Sequence, residues 1–155
     1  MSNRYFEVLA ELGLSLPAVS TPAGAYTSTV RTGNLLFVSG QISQIEGTSI
    51  RGKLGADVSL EQGQQAARLA ALNVVAHVAA AVNNDLDRVR RCVRIGGFVN
   101  AVPEFQDHSQ VMNGASELMV ALFGERGRHV RAATGAGSLP RGAAVEVEAV
   151  FEIAP

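Results

Sequence analysis

Tryptophan is absent from these 155 residues, cysteine occurs once, and aromatic side chains make up only 5%. The lone Cys92 excludes an internal disulfide and agrees with a reducing compartment. With so few rings, Val, Leu, Ile and Ala must fill the core. A strong charge of either sign is also missing. The formal net charge is −1, which offers no general attraction to nucleic acid or to an anionic membrane surface. No stretch reaches the length of an uncharged membrane span, because the alanine-rich region around residues 66–82 contains Arg68, Asn73 and His77. The N-terminus, Met1-Ser2-Asn3-Arg4-Tyr5-Phe6-Glu7, lacks the long apolar run of a signal peptide. These absences lead to the expectation of a soluble cytoplasmic protein. Hydrophobic content of 47% and charged content of 17% fit one compact domain rather than a disordered chain. The histidines show no paired metal-ligand spacing, and neither a P-loop nor a dinucleotide fingerprint occurs, so no metal or cofactor is expected.

What is present reads as alternating strands and helices. Residues 2–13 suit a short amphipathic helix, with Tyr5, Phe6, Val8, Leu9 and Leu12 apolar and Gly13 as its stop. Pro17 and Pro22 make the following stretch an extended connector. Tyr26 to Thr32 and Leu35 to Ser39 form a hairpin about Gly33-Asn34, and Gly40 permits a bulge or a close backbone approach. Another short strand is expected near Ser49-Ile50. Ser59-Leu60-Glu61-Gln62 has the capping-box pattern that opens a helix, which then runs to about Val82. Ala66, Leu69, Ala70, Asn73, Ala76 and Ala80 lie on or near one of its faces. Val89 to Val99 is a strand with Val89, Val93 and Ile95 on one parity and a bend or bulge at Gly96-Gly97. Asp107 or Ser109 caps a second helix, whose buried face is Val111, Ala115, Leu118, Met119 and Leu122, and Gly124 stops it. His129 to Thr134 and Val145 to Ile153 are the closing strands. About six strands and two main helices imply an α+β fold, with a mixed sheet covered by helices on one face. The other sheet face needs cover, which predicts self-association.

Candidate chemistry lies in the last quarter of the chain. In the strand 145–153, Glu146 and Glu148 project to one side, roughly 6.5–7 Å apart along the strand. They mark either a solvated face or a carboxylate in a cleft. Arg131, among Val130, Ala132 and Ala133, is expected to be partly buried, and a buried arginine needs an acidic partner or an anionic ligand. Arg128 and His129, nearer the preceding loop, are expected to face solvent. Tyr26 is either a strand aromatic or the ring wall of a site. Cys92 reads as an inert core thiol, His77 as a polar-edge histidine and His108 as part of a helix N-terminus.

Taken together, Ala23-Gly24-Ala25-Tyr26, Gly33-Asn34-Leu35-Leu36-Phe37-Val38-Ser39-Gly40-Gln41, Phe98-Val99-Asn100, Val111-Met112-Asn113-Gly114-Ala115-Ser116-Glu117, and Arg131 followed by Leu139-Pro140 and Val145-Glu146-Val147-Glu148-Ala149 resemble the RidA/YjgF/UK114 family of reactive-intermediate deaminases, also called the endoribonuclease L-PSP family. The resemblance spans roughly residues 20–154. It implies a chorismate-mutase-like fold with a six-stranded sheet, assembled as a homotrimer with ligand clefts between subunits. A short-helix extension over 1–20 would precede the family domain over 21–155. The implied activity is cofactor-free hydrolysis of enamines and imines, such as 2-aminoacrylate, to 2-keto acids and ammonia. By the same resemblance Arg131 grips the substrate carboxylate, Glu146 holds the attacking water, Tyr26 lines the cleft, and Gly40 and Asn113 occupy further cleft positions. Ala132-Ala133 replaces the family's small-Cys pair, leaving Ala133 to offer only a backbone N–H. With residues 1–20 and a longer Ile42–Gly55 segment, the chain resembles a longer, divergent branch. The alternatives are a non-catalytic trimer that binds small carboxylates and, against the net charge and sparse aromatics, a ribonuclease or translation inhibitor.

Overall fold

The computed structural model describes residues 4–155. The first helix, α1, runs Arg4–Glu11, so residues 2 and 3 of its expected span lie outside the described residues. Tyr5 and Leu9 of α1 are fully buried, and the Tyr5 ring packs 5.6 Å from that of Phe123. The Tyr5 hydroxyl donates to Asp87 Oδ1 at 3.0 Å and accepts from Arg126 Nη2 at 2.9 Å. These contacts fasten the helix into the domain core.

The connector then leads to β1 (Thr29–Thr32) and β2 (Leu35–Ile42). β1 is shorter than the expected 26–32 strand because the chain turns at its start, where Tyr26 N–H donates to Gly24 O at 2.9 Å. β3 (Gln44–Ile45) and β4 (Thr48–Ser49) follow, then α2 (Leu60–Ala81), β5 (Val89–Asn100), α3 (His108–Phe123), β6 (Val130–Ala136) and β7 (Val145–Ile153). The capping box forms as expected, with Ser59 Oγ accepting from Gln62 N and Gln62 Oε1 accepting from Ser59 N. Asp107 precedes α3 without a side-chain cap, and Gly124 ends it at a positive φ of 59°.

The main sheet is mixed, in the order β1-β2-β7-β5-β6, with β5 and β6 parallel and the other pairs antiparallel. It has five strands rather than six. The segment near Ser49 pairs with β3 as a separate two-stranded ribbon, because its partner is only two residues away across a turn. Crossovers through α2 and α3 lay both helices on one sheet face, as parallel connections of one hand require. Leu36, Val38, Ile95, Val99, Val147, Ala149 and Phe151 are buried beneath them. The buried side of α3 is the one its periodicity predicts. That of α2 differs, since Leu69 is half-buried and Ala80 exposed, while Ala67, Ala71, Val74, Val75 and Val78 are buried. The helix is wedged between sheet and α3, so it is covered on two sides rather than along one stripe.

Register irregularities in β5 fall between Val89 and Arg91 and between Cys92 and Arg94, not at Gly96-Gly97. Val93 therefore leaves the expected parity, and Cys92 takes the buried position. Gly97 serves close packing: a Cβ there would meet the Met112 side chain of α3. On the opposite sheet face Val30, Leu35, Phe37 and Val130 are exposed, Val130 at 67%. The uncovered face anticipated from the helix count is present.

Candidate functional site

Glu146 lies on β7, opposite Ile42 of β2 and Phe98 of β5, and points to the helix-free side of the sheet. Between Val38 and Gln41 the β2 ladder shifts by one residue, a bulge centred on Ser39-Gly40. The bulge brings Gly40 so close to β7 that a Cβ there would collide with the Glu146 carboxylate. Both expected uses of Gly40, bulge and close approach, are thus realised together. Half-burial pushes the Glu146 carboxyl above its ordinary pKa, and the like charge of Glu148 adds to the rise. Glu148 itself is paired with Arg94 at 3.0 Å.

Beside Glu146 opens a cleft of about 530 Å³. The connector forms one wall, through Pro17, Ser20 and Tyr26, and the β2 bulge forms the floor. Tyr26 is exposed, as a cleft wall would be. The cleft also takes in Arg141, from the turn that precedes β7. Its backbone sits at a φ of 55° just before Gly142. Such left-handed geometry in a non-glycine residue is uncommon and singles the position out. Asn73 secures the cleft from behind, donating to Ile42 O at 3.2 Å and Gln44 O at 2.8 Å. One turn on, His77 is buried against Ser20 Oγ at 3.3 Å rather than lying at a polar edge. Desolvation lowers its pKa and so favours the neutral ring.

Arg131, Asn113 and Ala133 are elsewhere in the chain. Arg131 pairs in the ladder with Ile95, whose side chain is buried beneath the helices, whereas Glu146 pairs with Phe98 on the open face. Ile95 and Phe98 are three residues apart in a stretch of unbroken register, so they face opposite ways. Within one chain Arg131 and Glu146 therefore do not meet. The candidate residues thus fall into two groups within the chain: Tyr26, Gly40 and Glu146 in one, Arg131, Asn113 and Ala133 in the other.

The second group is built on edge strand β6 and α3. Arg131 is half-buried, and its Nη1 donates to Asn113 Oδ1 at 2.9 Å and Ser116 Oγ at 3.0 Å, while Nη2 donates to Ser109 O at 3.3 Å. All three acceptors are neutral. Among the described residues no carboxylate lies within ion-pair distance of this guanidinium. Three of its N–H donors are used here; a guanidinium has about five, which leaves roughly the pair that one carboxylate takes. Ala133 lies two residues along the same face of β6. Arg128 is exposed as expected and pairs with Glu125 at 3.2 Å. His129 is not solvent-facing: it is half-buried, with Nδ1 2.7 Å from Gly127 O and Nε2 2.8 Å from Ser116 Oγ. Ser116 and His129 were missed by sequence reasoning, although Ser116 follows Asn113 by three residues and so shares its helix face.

No group of three or more potential metal ligands gathers among the described residues. Among the described residues no helix is long and apolar enough to cross a membrane. Cys92 is buried and its thiol is pushed up to about 12 by desolvation.

Comparison with known proteins adds a frame to this geometry. The model of a family described as "YjgF/chorismate mutase-like, putative endoribonuclease" matches residues 7–152. Protein TCP17 of Trypanosoma cruzi is 47% identical over 154 residues, covering 98% of this chain and 96% of that protein. The crystal structure of Atu1372, a protein of unknown function from Agrobacterium tumefaciens, is 44% identical and superposes with a TM-score of 0.92 over 99% of this chain and 95% of its own. RidA from the Antarctic bacterium Psychrobacter sp. PAMC 21119 is 24% identical with a TM-score of 0.59, over 90% of this chain and 96% of that one, a likeness of fold alone.

Proposed function

The chain belongs to the YjgF/chorismate-mutase-like family, and from that premise we propose that it hydrolyses small enamines and imines, 2-aminoacrylate among them, to 2-keto acids and ammonia. The observation that carries this reading is Arg131. It is a half-buried cation held by neutral oxygens and short of an anionic partner among the described residues. A half-buried guanidinium in that state favours an anion, and its remaining donors suit a substrate carboxylate.

The two half-sites come together between neighbouring subunits of a homotrimer, whose contact surface is the helix-free sheet face. Exposed Val30, Phe37 and Val130 favour such an association. Arg131 of one subunit then fixes the carboxylate and orients the imine carbon. Glu146 of the next holds the water, with Tyr26 as the wall. An enamine first shifts a proton from nitrogen to its terminal carbon and becomes the imine; water then adds to the imine carbon, both of its protons pass to nitrogen, and the C–N bond breaks to release ammonia and the 2-keto acid. The raised pKa of Glu146 moves it toward neutral pH, where a group that both takes and returns a proton works best. No metal or cofactor takes part in the proposed chemistry, and the expected setting is the cytoplasm.

The test is an amino-acid oxidase or dehydratase that generates imines from several amino acids, with their decay followed. Wild type accelerates decay and Arg131→Ala does not. Absence of acceleration by wild type across the panel sinks the enzyme reading. Ala133, at the position of the family's cysteine, favours a second reading, a trimer that binds 2-keto acids without turnover. Binding in the absence of acceleration distinguishes it.

A further inference from the structure

Arg131 does not reach its oxygen partners by chance rotamer; one of them is itself fixed by a further pair of bonds. Gly127 O can only accept, so His129 Nδ1, 2.7 Å away, carries the proton. Nε2 of the neutral ring is then an acceptor, and Ser116 Oγ, at 2.8 Å, donates to it. With its hydrogen committed, the Ser116 oxygen turns its lone pairs outward, and one of them receives Arg131 Nη1 at 3.0 Å. The chain of bonds runs in one direction, from guanidinium to hydroxyl to imidazole to carbonyl, so each bond polarises the next. Burial and the neighbouring Arg131 both favour the neutral ring that this order requires, against the opposing pull of the Gly127 carbonyl.

We propose that Ser116 and His129 are positioning residues for Arg131, fixing the plane of its guanidinium so that the uncommitted donors meet a carboxylate as a pair. The inference rests on the reading of Arg131 as the carboxylate grip. Asn113 and Ser109 O hold the guanidinium from the α3 side. The Ser116–His129 pair adds a tether from the turn that precedes β6, so that two separate backbone segments, α3 and this turn, define one orientation. A serine hydrogen-bonded to a histidine also resembles a nucleophile with its base. Here the serine oxygen already accepts from a cation, which draws electron density away from it and disfavours attack.

The test uses the full-length assembled protein and 2-oxobutanoate as the probe, with binding measured by calorimetry and imine hydrolysis resolved into kcat and KM. Ser116→Ala and His129→Leu each weaken binding by about tenfold, the worth of one hydrogen bond. Most of that appears in KM. Ser116→Thr, which keeps the hydroxyl, restores binding. In an Arg131→Lys background the Ser116→Ala effect falls below about twofold, because an ammonium is a point charge with no plane to orient. Equal losses in both backgrounds mark a general structural effect and overturn the proposal. So does covalent capture of Ser116 by a fluorophosphonate, which would make it a nucleophile. Binding lost in Arg131→Ala but intact in Ser116→Ala overturns this inference alone. No binding or turnover by wild type overturns the reading beneath it.

Discussion

Replacing Gly40 with alanine separates the fold from the proposed chemistry. A Cβ at this bulge overlaps the Glu146 carboxylate oxygen, and it stands 3.0 Å from the carboxyl carbon and 3.2 Å from Cγ. Carbon–carbon contacts settle at about 3.5–4.0 Å, so the carboxyl group must retreat by roughly 0.5–1 Å. The obstacle is the far end of a flexible side chain facing an open cleft, so the strain is relieved by a swing rather than by unfolding. The stability cost is then about 1 kcal/mol, the low end for overpacking, and the melting midpoint falls by about 2–4 °C for a chain of this size. Catalysis is far more sensitive, since a misplacement of about 1 Å costs on the order of a hundredfold. Gly40→Ala should therefore melt within a few degrees of wild type and lose about a hundredfold in kcat/KM for imine hydrolysis, roughly 2.7 kcal/mol of transition-state stabilisation. Thermal melts and the coupled imine assay, run on the same preparation, give both quantities. A folded Gly40→Ala protein with activity within about threefold of wild type would refute the placement of Glu146 at the reacting water.

Glu146→Gln should raise stability at neutral pH. The folded-state pKa of Glu146 lies above its unfolded value, so the native carboxyl contributes stability below the ordinary carboxylate range that is lost as pH rises through the folded pKa. Urea midpoints should favour the glutamine variant at pH near 7 and converge at acid pH, and a wild type more stable than the variant at neutral pH counts against the shift. Tyr5→Phe removes a hydroxyl that bridges Arg126 and Asp87, and should cost about 1.5–3 kcal/mol, or roughly 3–12 °C in midpoint; an unchanged midpoint would show that α1 is not anchored by this bridge. Cys92, buried with its thiol pushed up to about 12, should resist alkylation in the native protein at mildly alkaline pH and react once the chain is unfolded. Rapid native labelling by mass spectrometry would contradict its burial.

Elements whose identity rests on local pattern were legible in the sequence. The Ser59–Gln62 capping box, the five-residue face of α3 and the alternation from Val145 to Ile153 each carry their own signal, and each stands where the pattern puts it. Features decided by pairing were not. Whether the 48–49 segment joins the main sheet depends on which partner it finds, and nothing local distinguishes the ribbon from a sixth strand. The bulges in β5 moved Cys92 into the core in place of Val93, because one added residue inverts the parity of the rest of the strand. The candidate residues show the same division. Glu146 could be placed on a face because its strand alternates cleanly. Arg131 could not, because Ala132, Ala133 and Thr134 beside it are too alike to show which side is covered. Ser116 and His129 meet only through the docking of α3 on β6, separated by a turn whose course no periodicity encodes.

The opposed faces of Arg131 and Glu146 yield a prediction that the sequence alone could not. If one cleft uses Arg131 from one subunit and Glu146 from the next, two inactive variants can complement each other. Arg131→Ala leaves Glu146 intact, and Glu146→Gln leaves Arg131 intact. In a trimer mixed from equal parts, a working cleft needs its Arg131 from a Glu146→Gln chain and its Glu146 from an Arg131→Ala chain. Each condition holds half the time, so roughly a quarter of the clefts are complete when chains assort at random around a closed ring. Each homogeneous variant is inactive, yet the mixture should recover about a quarter of wild-type imine hydrolysis after subunit exchange by denaturation and refolding. A double variant carrying both substitutions on one chain, mixed with wild type, sets the control: its chains each spoil two neighbouring clefts and restore none. Mass-resolved native spectra establish that mixed trimers formed. Mixed trimers without recovered activity would mean that the two half-sites do not share a substrate, and the cleft beside Glu146 would then have to work without Arg131.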